Sequence, residues 1–146
     1  MTIKFVDTYR TTCLQQLGTA VGSAGKIIVY SGTQPAKGAA AGTALVTFTC
    51  AAGAVSGGAP FFSSITAGVG IVDVTGMAQA ATSGGAGTTA TWARLTTSGG
   101  AFVADMTVGG SSSFDLSLDN TSIVGPSNPP ASTVTMTSMT ITAMGA

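Results

Sequence analysis

Alternation of apolar and polar positions is sharpest between Thr89 and Val108 (TATWARLTTSGGAFVADMTV), where a strand, a Ser98-Gly99-Gly100 turn and a second strand spell a β-hairpin. In the second arm Phe102, Ala104, Met106 and Val108 alternate with Val103, Asp105 and Thr107, the period of two of a half-buried strand. The glycines at the tip reach the positive φ that a tight hairpin needs. The first arm carries Trp92, the only tryptophan, whose indole body favours burial and whose N–H needs an acceptor. This hairpin is expected at the centre of a sheet.

The rest of the chain can be laid beside it. Asp7 or Thr8 can cap a short helix that runs through TYRTTCLQQL and stops at Gly18. Tyr9, Cys13, Leu14 and Leu17 share one helical face, which is expected on the sheet. Ahead of it, Ile3, Phe5 and Val6 make Met1 to Val6 either an edge strand or an apolar arm that reaches a neighbour. Lys26-Ile27-Ile28-Val29-Tyr30 reads as a strand buried on both faces, and the Ala/Gly run from Ala36 to Gly42 as a loop. Thr43 to Cys50 sets Val46, Phe48 and Cys50 on one face and Thr47 and Thr49 on the other. The small residues from Ala51 to Pro60 read as loop or bulge.

Phe61 and Phe62 are adjacent, and neighbours in a strand point to opposite faces. One ring then enters the core and the other faces a partner; a loop turning both inward is the alternative. Ile65 opens a further strand region that Gly68 to Thr75 continues, while Met77 to Gly87 reads as loop. Phe114, Leu116 and Leu118 alternate with Asp115 and Ser117, core against water. Gly125 to Pro130 forbids regular structure. In the last strand, Ser132 to Ala143, Val134 and Met136 stand in one register and Met139, Ile141 and Ala143 in the other, which predicts a β-bulge near Ser138. No helix of crossover length separates the strands, so a parallel α/β sheet is excluded.

The fold predicted is all-β: an antiparallel β-sandwich of about seven to nine short strands with one short N-terminal helix, a closed barrel being the alternative. Residues 1–24 form the arm and helix and residues 25–146 the sandwich, a single domain, as suits a chain of 146 residues.

Composition changes the picture mainly through charge. Charged residues make up 7% of the chain against a usual ~25%, and five Lys plus Arg balance five acidic residues, all Asp. Such a surface is covered by hydroxyls, small side chains and backbone, and zero net charge removes the self-repulsion that keeps proteins apart. The working form is therefore expected to be packed against neighbours, an extracellular or merely low-charge domain being the alternative. Lys4, Arg10, Lys26, Lys37 and Arg94 are scattered, so no nucleic acid is expected as a partner. The N-terminus MTIKFVDTYRTTC lacks the apolar core of a secretory signal, and no run of ~20 apolar residues exists to span a membrane, so no membrane is expected either.

Candidate chemistry is scarce. Without His or Glu, the Ser-His-Asp and Cys-His constellations cannot be assembled within one chain, and zinc sites of the His-rich or four-Cys kind are excluded by count. Asp115 and Asp119 match no calcium-loop spacing. Gly84-Gly85-Ala86-Gly87 lacks the Lys-Ser/Thr of a phosphate loop. Cys13 and Cys50 each read as a buried free thiol, a disulfide between them being the alternative. No enzymatic activity, cofactor or metal is expected.

Ile27-Ile28-Val29-Tyr30-Ser31-Gly32-Thr33-Gln34-Pro35-Ala36, then Gly87 to Arg94 (GTTATWAR), then Asp115-Leu116-Ser117-Leu118 with Ile123, then the hydroxyl-rich Thr133 to Thr142 stand in order along the chain. In that order they resemble a family of small tailed-bacteriophage virion structural proteins. Ala93 after the tryptophan and the longer, Pro-rich loop Gly125 to Pro130 depart from that pattern.

The resemblance implies a virion protein made in the host cytoplasm. It points to a capsid decoration or cement protein that binds the outer surface of the major capsid protein shell and other copies of itself. A tail or baseplate component is the alternative. So is a carbohydrate-binding or adhesion module, against which stands the placing of Trp92, Tyr9 and Tyr30 in core elements. The contact surfaces expected for a cement role are the N-terminal arm (Ile3, Phe5), the Pro60-Phe61-Phe62 region and the Asn128-Pro129-Pro130 loop.

Overall fold

The computed structural model describes residues 4–50 and 61–143. Among these, one helix, α1 (Asp7–Val21), precedes the strands β1 (Lys26–Tyr30), β2 (Val46–Thr49), β3 (Phe62–Thr66), β4 (Val69–Val72), β5 (Ala78–Ala80), β6 (Ala86–Thr89), β7 (Trp92–Thr96), β8 (Phe102–Gly109), β9 (Leu116–Leu118), β10 (Ser122–Val124) and β11 (Thr133–Thr142). The fold is all-β with one N-terminal helix, as the patterning predicts. Its strands outnumber the predicted seven to nine because the short β5 and β6, AQA and AGTT, carry no alternation to read.

Eight strands run across a curled sheet in the order β2-β1-β7-β8-β9-β11-β4-β3; β5 joins β11 as a ninth, and β6 pairs with β10 in a separate ribbon. The Thr89–Val108 hairpin supplies β7 and β8, near the middle of this order. The layers come from one curled sheet and not from two separate ones. Where it curls furthest, Thr82 and Ser83 both donate their backbone N–H to the Leu45 carbonyl just before β2, at 2.8 and 3.3 Å. One pairing departs from the antiparallel rule: the loop Gly110–Asp115 returns the chain so that Val108 and Gly109 match Leu116 and Ser117 in parallel.

Register explains the burial. Ile27 and Val29 of β1 lie opposite Phe48 and Val46 on one side and Leu95 and Ala93 on the other, making an apolar face that lines the core. The opposite face carries Tyr30, Trp92, Arg94 and Asp105. Every residue of β7 is buried: the core covers one face, and the segment after β1 contacts the other through Ser31, Gly32 and Ala39. Trp92 is thus buried as expected, yet away from the main core. Its ring stacks on Tyr30 at 4.4 Å, and its indole N–H donates to the Ser31 carbonyl at 3.3 Å.

Several expectations need correction. The helix does not stop at Gly18 but runs on to Val21, fully buried at its end, and stops at Gly22, whose φ of 68° is easy for glycine alone. Val6, not Asp7 or Thr8, is its N-cap, without a side-chain cap. The buried face is Arg10, Leu14, Gly18 and Val21, one ridge round from the predicted one, and Tyr9 and Cys13 are exposed. Gly68 to Thr75 does not continue the strand begun at Ile65: Ala67 and Gly68, both at positive φ, turn the chain into a β3–β4 hairpin.

Phe61 and Phe62 are both buried, with edge-to-face rings 4.8 Å apart. Phe61 has a φ of 89°, so the alternation that would send one ring outward does not hold there. Phe114 is exposed and Ser117 buried, the reverse of the predicted pattern, because the strand starts only at Leu116 and the Ser117 hydroxyl turns back to donate to the Ser111 carbonyl at 2.6 Å. The bulge near Ser138 is present: the β9–β11 register shifts between Met136 and Ser138, with Val134, Met136 and Met139 buried. The run Ala51 to Pro60 lies outside the described residues.

Candidate functional site

Each of the five aspartates has an internal partner. Asp7 pairs with Arg10 at 3.0 Å and Asp105 with Arg94. The Asp73 carboxylate accepts the Thr75 N–H, Asp115 accepts both the N–H and the hydroxyl of Thr107, and Asp119 accepts the Thr135 N–H across to β11. The Thr75 hydrogen bonds hold the Asp73 carboxyl below the usual carboxylate range. No group of three or more His, Cys, Asp or Glu that could hold a metal ion is found among the described residues. These carboxylates tie strands and turns together.

Arg94 is the most elaborately held of the charges. Its guanidinium grips Asp105 through two parallel hydrogen bonds of 2.7 and 2.9 Å and donates a third, of 2.7 Å, to the Ala39 carbonyl. Its central carbon lies 5.5 Å from the Trp92 ring centroid and 5.1 Å from that of Phe102, close enough for cation–π attraction. The Asp105 hydrogen bonds push the Arg94 pKa up from its ordinary value. The cluster pins the loop after β1 to the outer face of the hairpin.

The surface best shaped for a partner lies elsewhere, along α1. Because Arg10, Leu14, Gly18 and Val21 turn inward, the adjacent ridge of Phe5, Tyr9, Cys13 and Leu17 is left as a wall facing Ile141 and Ala143 at the end of β11. Between them runs an apolar cleft of about 340 Å³. Past Leu17 and Ile141 it continues into a recess of about 280 Å³ lined by Ala104, Met106 and Met139, with Asp105 and Asp115 at its edge. Phe5 and Tyr9 are 43% and 54% exposed, and their rings lie 5.2 Å apart, tilted by 34°. Val6 beside them is 69% exposed.

An arginine starts the inward ridge. The Arg10 side chain packs so closely over the Gly68 turn that a Cβ there would lie 2.6–2.7 Å from its atoms. The Arg10–Asp7 pair meanwhile places a negative charge in the first helical turn, where the helix dipole favours it.

Of the residues expected to make contacts, Phe5 lies on the rim of this cleft. Asn128, Pro129 and Pro130 form an exposed loop, with a cis bond between the two prolines. That loop precedes β11 while the cleft lies at its far end, so the two surfaces sit at opposite ends of that strand. Phe61 and Phe62 are core residues and are withdrawn as contacts. Ile3 and Pro60 lie outside the described residues. Tyr9, Cys13 and Ile141 complete the cleft. The i, i+4 recurrence of Tyr9, Cys13 and Leu17 was visible in the sequence, but hydrophobicity alone cannot say which of two adjacent helical ridges faces inward. Compared with family models, with curated proteins and with solved structures, the chain matches none of them.

Proposed function

We propose that this protein is a structural component of a tailed-phage virion, a decoration or cement module that binds the outer surface of the major capsid protein shell and neighbouring copies of itself. The observation that carries the reading is the open apolar ridge of Phe5, Tyr9, Cys13 and Leu17 facing Ile141. A chain with few charges that leaves a contiguous aromatic and aliphatic surface uncovered gains by burying it against a neighbour. All the aspartates and both arginines have internal partners, which leaves three lysines, Lys4, Lys26 and Lys37, outside the two ion pairs.

Exposed surfaces at both ends of β11 suit a module that bridges two neighbours. Repetition by shell symmetry then makes many modest contacts, ~800 Å² per partner, add up to resistance against internal pressure. The reading involves no catalysis, no cofactor and no nucleic acid, and it places the protein on the virion.

The test compares particles that carry the wild-type protein, no protein, or the paired variant Tyr9→Glu, Ile141→Glu. Particles of the last two kinds are expected to assemble and to lose their heads at lower temperature than wild type. Equal heat resistance of all three would overturn the cement reading. A few tens of copies or fewer per particle would move the protein to the tail or baseplate.

A further inference from the structure

We propose that a second surface, the open groove at Phe114, binds a neutral saccharide. It shares no lining residue with the α1 cleft and does not depend on the virion reading. Phe114 stands just ahead of β9, held by its backbone N–H to the Ser111 carbonyl at 3.2 Å. Its ring occupies the place a side chain on Gly109 would take, in contact with the position of a Gly109 Cβ. Yet it is 43% exposed, so one side is packed on backbone and the other is open.

The ring forms one wall of a groove of about 390 Å³ whose other lining residues include Gly110, Thr89, Thr91 and Thr121, with no charged side chain among them. The Thr91 hydroxyl donates to the Gly32 carbonyl at 2.6 Å and keeps its lone pairs. Those of Thr89 and Thr121 make no hydrogen bond to another described residue.

A pyranose presents a C–H face and a rim of hydroxyls. The open side of the Phe114 ring meets the first, and the threonine hydroxyls of the lining meet the second. Binding sites of this sort combine apolar lining with a few placed polar groups. Because the Gly109 notch already fixes the ring, little side-chain freedom remains to be lost on binding. An uncharged lining offers no counter-ion to phosphate or carboxylate, so the ligand class is neutral sugars.

The experiment is an amide NMR titration of the full chain with methyl glycosides of glucose, galactose, mannose and N-acetylglucosamine and with maltotriose and chitotriose. Wild type is expected to show saturable shifts centred on Gly109, Gly110 and Phe114 with at least one probe. Phe114→Ala is expected to weaken that binding at least about tenfold while still unfolding in one cooperative transition, and Phe114→Tyr to retain it. Absence of saturable shifts with every probe, shifts centred elsewhere, or full binding by Phe114→Ala would overturn the proposal. Protection of the Gly109 and Gly110 amides in assembled particles, with no sugar response, would also overturn it and give the groove to a protein neighbour. Tyr9→Glu, Ile141→Glu is expected to leave sugar binding intact, so this proposal and the cement reading fail separately.

Discussion

Arg94 sits in the middle of a strand flanked by buried residues, a position where an unpaired charge would be very costly. It is tolerated because Asp105 lies directly opposite on β8 and returns two hydrogen bonds. Arg94→Met leaves Asp105 buried without its partner and is expected to cost ~3 kcal/mol in denaturant unfolding. Arg94→Met combined with Asp105→Leu is expected to recover most of that loss, since an apolar pair needs no counter-charge. An additive loss in the double variant would contradict the account.

Cys50 gives a pH dependence. Burial pushes its thiol up to about 12 from an ordinary value near 9. The contribution to stability is therefore complete below pH 9 and is lost as pH rises towards 12, at about 1.4 kcal/mol per pH unit. Desolvation raises Tyr30 as well, which acts in the same direction. Urea unfolding at about pH 8 and pH 10.5 is expected to show the fall in wild type and a smaller one in Cys50→Ala. Equal falls would assign the effect to other groups. The need of the Trp92 indole for an acceptor was legible in the sequence; the Arg94–Asp105 grip was not, because it exists only once the β7–β8 register is set.

Among the elements, those with strong alternation or continuous apolar runs were legible nearly to the residue: β1, β2, the β7–β8 hairpin, and β11 with its bulge. Elements formed because a neighbour offers an edge were not. All three residues of β5 are exposed, and it is a strand because β11 pairs with it from Thr133 to Thr135. Helix α1 shows a different limit: Gly18 reads as a stop and Arg10 lies off the predicted apolar face, yet both belong to the buried ridge.

Glycine positions carry comparable information. A Cβ on Gly70 would lie 2.5 Å from the ring of Phe62 on the neighbouring β3, whereas one on Gly42 would meet nothing within 4 Å. Gly70→Ala is expected to destabilise by ~1–3 kcal/mol through overpacking, and Gly42→Ala to be neutral or slightly stabilising. Thermal unfolding of the two variants side by side checks the pair. A tolerated Gly70→Ala would mean that Phe62 is not wedged against β4 as described.

Taken whole, the molecule is a stiff curled sheet whose few charges are mostly spent on holding itself together. Its solvent face is made of hydroxyls and small residues, with an apolar cleft beside α1 and an exposed Pro-rich loop ahead of the other end of β11. Composition raises the expectation of a surface packed against neighbours; of the residues expected as contacts, Phe5 and the Asn128–Pro130 loop are exposed, while the rings of Phe61 and Phe62 are in the core. The cleft itself was hidden, since it depends on which ridge of α1 turns inward. Quantitative mass spectrometry of purified phage particles tests the central claim most directly. The account predicts hundreds of copies per particle, in fixed ratio to the major capsid protein; a protein left wholly in the soluble fraction of the infected cell and absent from the particles would contradict it.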